Sequence, residues 1–317
     1  MAKAALTQSI HNRRDDLDMT KDLFNAQVWE KAWKEDPQAM GNKMKKAGVD
    51  MTRSFDSKAE SFNREVFSEE GRRRSERIIG WIEGQGVEFG GLSVLDVGAA
   101  SGGFSVPFAE RGARVTAVEP NVPLRKLLEQ NTAAIRPDLH PVEIVPQAFE
   151  DLDLSAKGWE QAFDLVFVSM CPVIVDWESV ERVLSCARQY CYISLMAGGR
   201  EHSLVDEVLP LLGNRNAAEA SPDMGYLLQL LYLKGFAYES IVTREMKTVM
   251  HDSAEAAVSG VMALLPHYGV AADEAAREKV TDYVRRTYGG GPVQTSQGGR
   301  FGKVLIRLQD QKMYTRR

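Results

Sequence analysis

Two carboxylates and a run of small residues stand at spacings that suit a nucleotide-type cofactor. Asp96 lies in the apolar run Ser93-Val94-Leu95-Asp96-Val97, and Gly98, Ala99, Ala100, Ser101, Gly102 and Gly103 follow at once. The small residues at Gly98, Ala100 and Gly102 let a backbone approach a ligand closely, where a larger side chain would collide with it. Glu119 closes the next apolar run, Arg114 to Val118, about 20 residues past the loop, the separation at which a carboxylate accepts from both ribose hydroxyls. A dinucleotide would lay its pyrophosphate on the helix N-terminus, where the carboxylate of Asp96 is unwelcome. A Rossmann-type dehydrogenase nevertheless shares these strands and glycines and stays open at this point.

Three other side chains could take part in a reaction. Cys171, followed by Pro172, ends the apolar run Phe163 to Met170, and an α/β sheet keeps its chemistry at the carboxyl ends of its strands. A cysteine there is either a nucleophile or a small core residue. His202 and His251 are candidate bases; His202 is otherwise readable as a surface histidine and His251 as a structural one. Cys171, Cys186 and Cys191 keep no metal-ligand spacing, so no metal site is expected.

The elements that must position these residues follow from periodicity. Phe104, Phe108 and Ala109 recur at helical spacing, so the small-residue loop opens a helix between two buried parallel strands. Helices are expected over Phe55 to Ile82, Pro123 to Ala134 and Ser179 to Ala187, and strands over Val142 to Val145 and Tyr190 to Met196. Ala197-Gly198-Gly199-Arg200 reads as a loop at the active face. The last two strands are expected at Tyr238 to Arg244 and Lys303 to Leu308, with two helices between them, Ser253 to Leu265 and Asp273 to Tyr288. Ser253 and Asp273 are suitable N-caps, and Gly289-Gly290-Gly291-Pro292 stops the second helix. So long an insertion in a compact domain suggests a cap on the substrate side, formed with Tyr226 to Gly235 and lined by His251, His267, Tyr268 and Arg300.

The segment Asp96-Val97-Gly98-Ala99-Ala100-Ser101-Gly102 resembles motif I of class I S-adenosylmethionine-dependent methyltransferases, with Ala100 in place of the middle glycine. The resemblance runs from about Phe55 to Leu308 and is closest to the bacterial small-molecule members. It implies an α/β fold with a doubly wound, mostly parallel seven-stranded sheet and helices on both faces. An N-terminal helical extension over residues 1–54, the cap insertion over 245–300 and a tail over 311–317 complete the expected organisation. The implied cofactor is S-adenosylmethionine, held by Asp96, Gly98, Ala99, Ala100, Ser101 and Gly102 at motif I and by Glu119 and Pro120 at the next strand end. The equivalent of motif II falls on Gln147-Ala148-Phe149-Glu150-Asp151, where the usual acid's place holds Ala148. Adenine recognition is then expected from the backbone and ring of Phe149, or from Glu150 or Asp151 in a shifted alignment. Ser169 and Met170 are expected at the cofactor, and Phe55 or Phe62 as an aromatic lid or as core. Ser169-Met170-Cys171-Pro172 lacks the Asn/Asp-Pro-Pro-aromatic signature of enzymes that methylate nucleic-acid amines.

Composition narrows the partners. The 317 residues are 44% hydrophobic and 26% charged with a net charge of -5, which suits a folded globular chain and lacks the dominant basic field of a general nucleic-acid binder. Lys43, Lys45 and Lys46, and Arg72, Arg73 and Arg74, form local basic clusters among acids. No leader or membrane-spanning run is readable, so a cytoplasmic protein is expected. Phe24, Val28, Trp29, Ala32 and Trp33 recur at helical spacing as a docking face, compatible with a monomer or a homodimer. The expected acceptor is a small molecule and no membrane partner is expected. An RNA or protein acceptor using the basic segments, or a non-catalytic module that keeps the fold, are the alternatives.

Overall fold

The computed structural model describes residues 22–48, 50, 52–214, 221–268 and 270–309. The chain divides into two compact units, one of Met1–Ser194, Gly225–Ser240 and Lys303–Arg317, the other of Leu195–Met224 and Ile241–Gly302. Seven strands form one sheet in the order β3-β2-β1-β4-β5-β7-β6.

In the first unit β1 (Ser93–Val97) runs parallel to β2 (Arg114–Val118) on one side and to β4 (Phe163–Ser169) on the other. The strand order therefore reverses at β1, and the carboxyl ends of β1 and β4 frame the crevice where such sheets bind ligands. β3 (Glu143–Val145) extends the parallel set beyond β2, and β5 (Ala187–His202) pairs parallel to β4. The first six residues of β4 are all buried because helices cover both faces of a parallel sheet. One charge is tolerated at its start: the Asp164 carboxylate accepts from the Ser93 backbone and hydroxyl at 2.9 and 2.8 Å and from Gln189 at 2.9 Å, and so fixes the register of β1 against β4. Against the upward push of burial, these bonds and the charge of Arg188 hold its pKa below the ordinary carboxylate value. Phe104, Phe108, Phe167 and Tyr192 fill the core beside β1, with Phe167 and Tyr192 stacked at 4.6 Å.

The expected helix from Phe55 to Ile82 is two helices, Ala59–Val66 and Glu69–Gly84. The break lies at Ser68, whose hydroxyl donates to the Glu65 carbonyl and accepts from the Gly71 backbone at 3.1 Å, ending one helix and capping the next. Gly71 is required there, since a Cβ would run into the carbonyls of Glu65 and Val66. The N-terminal docking helix spans Ala26–Glu35, with Trp33 fully buried. Trp33 stacks at 6.0 Å on Tyr226 of the helix Asp223–Leu233, and the Tyr226 hydroxyl donates to Asp36 at 2.9 Å. The stretch Tyr226 to Gly235, expected as part of a cap, is instead the partner of this N-terminal helix. A second short helix, Met40–Lys46, carries Lys43, Lys45 and Lys46 in its last turn, where they favour the negative end of the helix dipole.

The second unit has its own core. Leu204, Val205 and Val208 from the helix Ser203–Val208 pack with Val258 and Val261 of Ala254–Leu264 and with Val280 and Val284 of Glu274–Tyr288. Both expected N-caps form: Ser253 accepts from Ala256 at 3.2 Å and Asp273 from Ala276 at 2.9 Å. Gly289 ends the second helix with φ +77°. The strands are longer than their apolar runs suggest. β5 has 16 residues, and β6 (Ala237–His251) and β7 (Val293–Arg307) have 15 each. The expected loop Ala197–Arg200 is therefore part of β5. Its glycines allow close approach: the Arg300 side chain lies 3.5 Å from the Cβ position of Gly198, and the Gly199 carbonyl 3.2 Å from that of Gly299.

Candidate functional site

The loop after β1 is built on left-handed backbone. Gly98 (φ +75°), Ala100 (φ +50°) and Gly102 (φ +92°) alternate with ordinary residues, and the Gly98 and Ala99 N–H groups both donate to the Val118 carbonyl at 3.0 Å. Glycine suits two of these positions, whereas alanine at the third stores strain of about 1–3 kcal/mol. That strain is held by Glu119, whose carboxylate accepts from the Ala100 N–H at 2.8 Å and, through its other oxygen, from the Asn121 N–H at 2.8 Å. Glu119 is therefore a brace for the loop as well as a candidate ribose ligand. Gly98 also lies under Cys171, so that a Cβ there would overlap its sulfur, and a Cβ on Gly102 would approach Leu128 to 2.7 Å.

Asp96 is 3% exposed and accepts from the Ser105 hydroxyl at 2.6 Å, across the turn that opens the helix Ser105–Glu110. Burial pushes its pKa up to about 7, with the nearby Glu119 charge adding to the push against the Ser105 bond. Burial also raises Glu119, against the two backbone N–H bonds and the charge of Arg125. Two buried carboxylates beside one small-residue loop are an electrostatic demand for a cationic or hydroxyl-bearing ligand.

Two asparagines tie the loop to the preceding helices. Asn121 caps the helix Val122–Thr132 by accepting from Leu124 at 3.0 Å and donates to the Thr52 carbonyl and Asp56, both at 2.8 Å. Asn131 donates to the Ser101 carbonyl at 2.8 Å and to Asn63 at 2.9 Å. Asn121 was legible as an N-cap ahead of Val122-Pro123, but no local pattern marks Asn131. Phe55 and Phe62 meet edge to face at 5.1 Å and pack with Ala59, Leu124, Leu127 and Ala100, so both rings border the loop. Pro120 is half-buried beside Glu119.

At the end of β4, Met170 takes φ +52° and donates its N–H to the Ser194 carbonyl at 3.0 Å, and the hydroxyls of Ser169 and Ser194 lie 3.1 Å apart. Thus two of the three left-handed non-glycine residues among the described residues, Ala100 and Met170, stand at the carboxyl ends of β1 and β4. Cys171 beside them is half-buried, and burial pushes its thiol up to about 12, which favours the protonated form. Its sulfur packs over Gly98, in keeping with the small-core-residue alternative.

Ala148 and Phe149 are buried, with the Phe149 ring 2% exposed and the Arg182 guanidinium 5.3 Å from its centroid. Arg182 also donates to the carbonyls of Phe149 at 3.0 Å and Leu152. The expected stacking face of Phe149 is therefore covered by Arg182, a residue the sequence did not single out. Glu150 and Asp151 remain exposed beside it.

The candidate bases belong to the second unit. His202 is 5% exposed, and its Nδ1 accepts from the Val205 N–H at 3.3 Å, capping Ser203–Val208. Burial, followed by the neighbouring His251 charge, lowers its pKa. It is a structural cap rather than a surface histidine. His251 Nε2 lies 3.1 Å from the Thr295 hydroxyl, and the Tyr268 hydroxyl donates to the Arg200 carbonyl at 3.4 Å. The side chain of His267 lies outside what is described. Among the described residues no cluster of acids, histidines and cysteines could hold a metal ion. Nor is any described helix long and apolar enough to cross a membrane.

The profile of a methyltransferase domain family matches residues 94–191, from the second residue of β1 into β5. Among solved structures the chain is similar to magnesium protoporphyrin IX methyltransferase from Synechocystis at 15% identity, covering 78% of this chain and 97% of that one, with a TM-score of 0.45. The YcgJ protein from Bacillus subtilis gives 14% identity, 75% and 100% coverage, and 0.45. The plantazolicin methyltransferase BpumL gives 11%, 92% and 99%, and 0.41. No curated protein sequence matches the chain. With its sheet order, acid-bearing strand ends and left-handed loop, the matched stretch is a class I S-adenosylmethionine-dependent methyltransferase domain.

Proposed function

We propose that the protein transfers a methyl group to a small-molecule acceptor by in-line displacement, chiefly through proximity and orientation. The observation that carries this reading is the left-handed loop braced by Glu119 beside the buried Asp96. When bound, S-adenosylmethionine supplies an electrophilic methyl group on a sulfonium.

The residues present fit that cofactor. Each Glu119 oxygen already holds one backbone N–H and keeps lone-pair capacity for a ribose hydroxyl. Ser101 is fully buried and its hydroxyl has no hydrogen-bond partner among the described residues. Asp96 would hold the ammonium end, and its ionised form is the one that would do so. Adenine recognition would fall to backbone near Ala148 and Phe149. Phe55 and Phe62, packed on Ala100, would exclude water from the loop.

Chemistry by positioning suits the side chains available. Burial favours the protonated form of Cys171. His202 has its Nδ1 lone pair engaged by the Val205 N–H, so its neutral ring carries the hydrogen on Nε2 and keeps no free lone pair to take a proton, and His251 shares its Nε2 with Thr295. Acceptors that ionise readily need no base, and for them orientation suffices.

A small acceptor is favoured over RNA by the tasks of the basic clusters. Arg73 pairs with Glu69 at 2.5 Å and Arg72 donates to the Phe67 carbonyl at 3.1 Å and lies over its ring, so these arginines serve their own helix. The test is transfer of tritiated methyl from S-adenosylmethionine into fractionated cell extract. Label in the low-mass fraction supports the proposal. Label confined to RNA or protein, or the absence of any transfer by a protein that binds the cofactor, overturns it in favour of a macromolecular acceptor or a regulatory module.

A further inference from the structure

The sheet ends at β6, and none of its 15 residues is buried. An edge strand carries a row of N–H and C=O groups directed away from its one neighbour, a template for another strand. Proteins usually blunt such edges by proline, by short length or by inward-pointing charge. The stretch Ile241 to His251 has no proline, and it exposes Ile241 (39%), Val242 (50%) and Met250 (59%).

We propose that this edge pairs antiparallel with the same strand of a second copy of the chain, about a two-fold axis through Met246. The sequence is self-complementary in that register. Glu245 faces the partner's Lys247 and Lys247 faces the partner's Glu245, giving two opposite-charge pairs on one face. Val242 faces the partner's Met250, Met246 faces the partner's Met246, and Met250 faces the partner's Val242, giving three apolar pairs on the other face, with an Arg244–Thr248 pair between each two. Thr243 then lies opposite the partner's Val249 and Arg244 opposite the partner's Thr248.

Neighbouring registers are worse. Axes through Arg244, Glu245 or Lys247 each set a residue against its own like charge, which is unfavourable across a ladder. An axis through Thr243 sets Ile241 against Glu245 and Val242 against Arg244. Among these registers, and within Ile241 to His251, the Met246 axis alone sets opposite charges against each other, and it is the one proposed for a second copy.

Sedimentation of the full chain tests this directly. The wild type is expected to be a dimer at micromolar concentration. Lys247→Glu and Glu245→Lys should each weaken self-association at least tenfold, and the double variant carrying both should regain it. Met246→Cys should form a disulfide-linked dimer under mild oxidation. Met250→Cys should not, since the two copies of residue 250 are separated by eight strand positions, roughly 26 Å. A monomeric wild type, a dimer indifferent to the single charge reversals, or equal cross-linking of the two cysteine variants would overturn the proposal.

Discussion

Asp96 has conflicting duties in stability and binding. Its pKa of about 7 lies above the ordinary 3.8 because burial penalises the anion. The folded state therefore binds the proton more tightly than the unfolded chain, so this group's stabilising contribution is complete below about pH 4 and is lost as pH rises through 7. A shift of that size is worth a few kcal/mol, at about 1.4 kcal/mol per pKa unit. Asp96→Asn should raise the melting temperature of the free protein more at pH 8 than at pH 5, and weaken S-adenosylmethionine binding at least tenfold. In the wild type, affinity for this cationic cofactor should rise between pH 6 and pH 8, with proton release measurable in buffers of different ionisation enthalpy. A flat affinity profile would mean that Asp96 does not meet the cation. Cys171 gives a simpler expectation. With its thiol near 12, Cys171→Ala should keep methyl transfer within a few-fold of wild type, and a loss beyond a hundredfold would favour the nucleophile reading.

At the scale of elements, the strand-loop-helix-strand unit from Ser93 to Glu119 was legible because its information is local. Alternation between apolar runs and small residues fixes where strands end, and the N-caps at Ser253 and Asp273 were readable for the same reason. What escaped depends on distant partners. Arg182 reaches Phe149 from 33 residues away, Asn131 holds Ser101 from 30 away, and the glycines at Gly198 and Gly199 look like a loop until β7 is seen beside them. The loop's geometry gives a paired test. Gly98→Ala places a Cβ at φ +75° against the Cys171 sulfur, so it should destabilise by about 2–4 kcal/mol, more than the 1–3 kcal/mol of left-handed strain alone. Adding Cys171→Ala should recover part of that loss in chemical denaturation. Strict additivity of the two substitutions would show that the contact is not formed.

On the scale of the whole molecule, two cores rather than one account for the chain's length. Each is assembled from segments distant in sequence, which is why a boundary at residue 245 could not reveal that Leu195–Met224 shares a unit with Ile241–Gly302. Leu265 is fully buried in the second core, and Leu265→Ala should cost about 2–5 kcal/mol there. Hydrogen exchange is expected to show that loss in amides of Ala254–Leu264 and Glu274–Tyr288 and much less in β1 and β4, whose core residues are different. Uniform deprotection of both units would instead mark a single cooperative fold.

The central claim is that Glu119 and the loop it braces bind S-adenosylmethionine. The most direct measurement is calorimetric titration of the wild type and Glu119→Ala with S-adenosylmethionine, S-adenosylhomocysteine and NADH. We expect micromolar binding of the first two by the wild type, no heat with NADH, and at least a tenfold loss of affinity in Glu119→Ala. Binding of NADH alone, or S-adenosylmethionine binding untouched by the substitution, would contradict it.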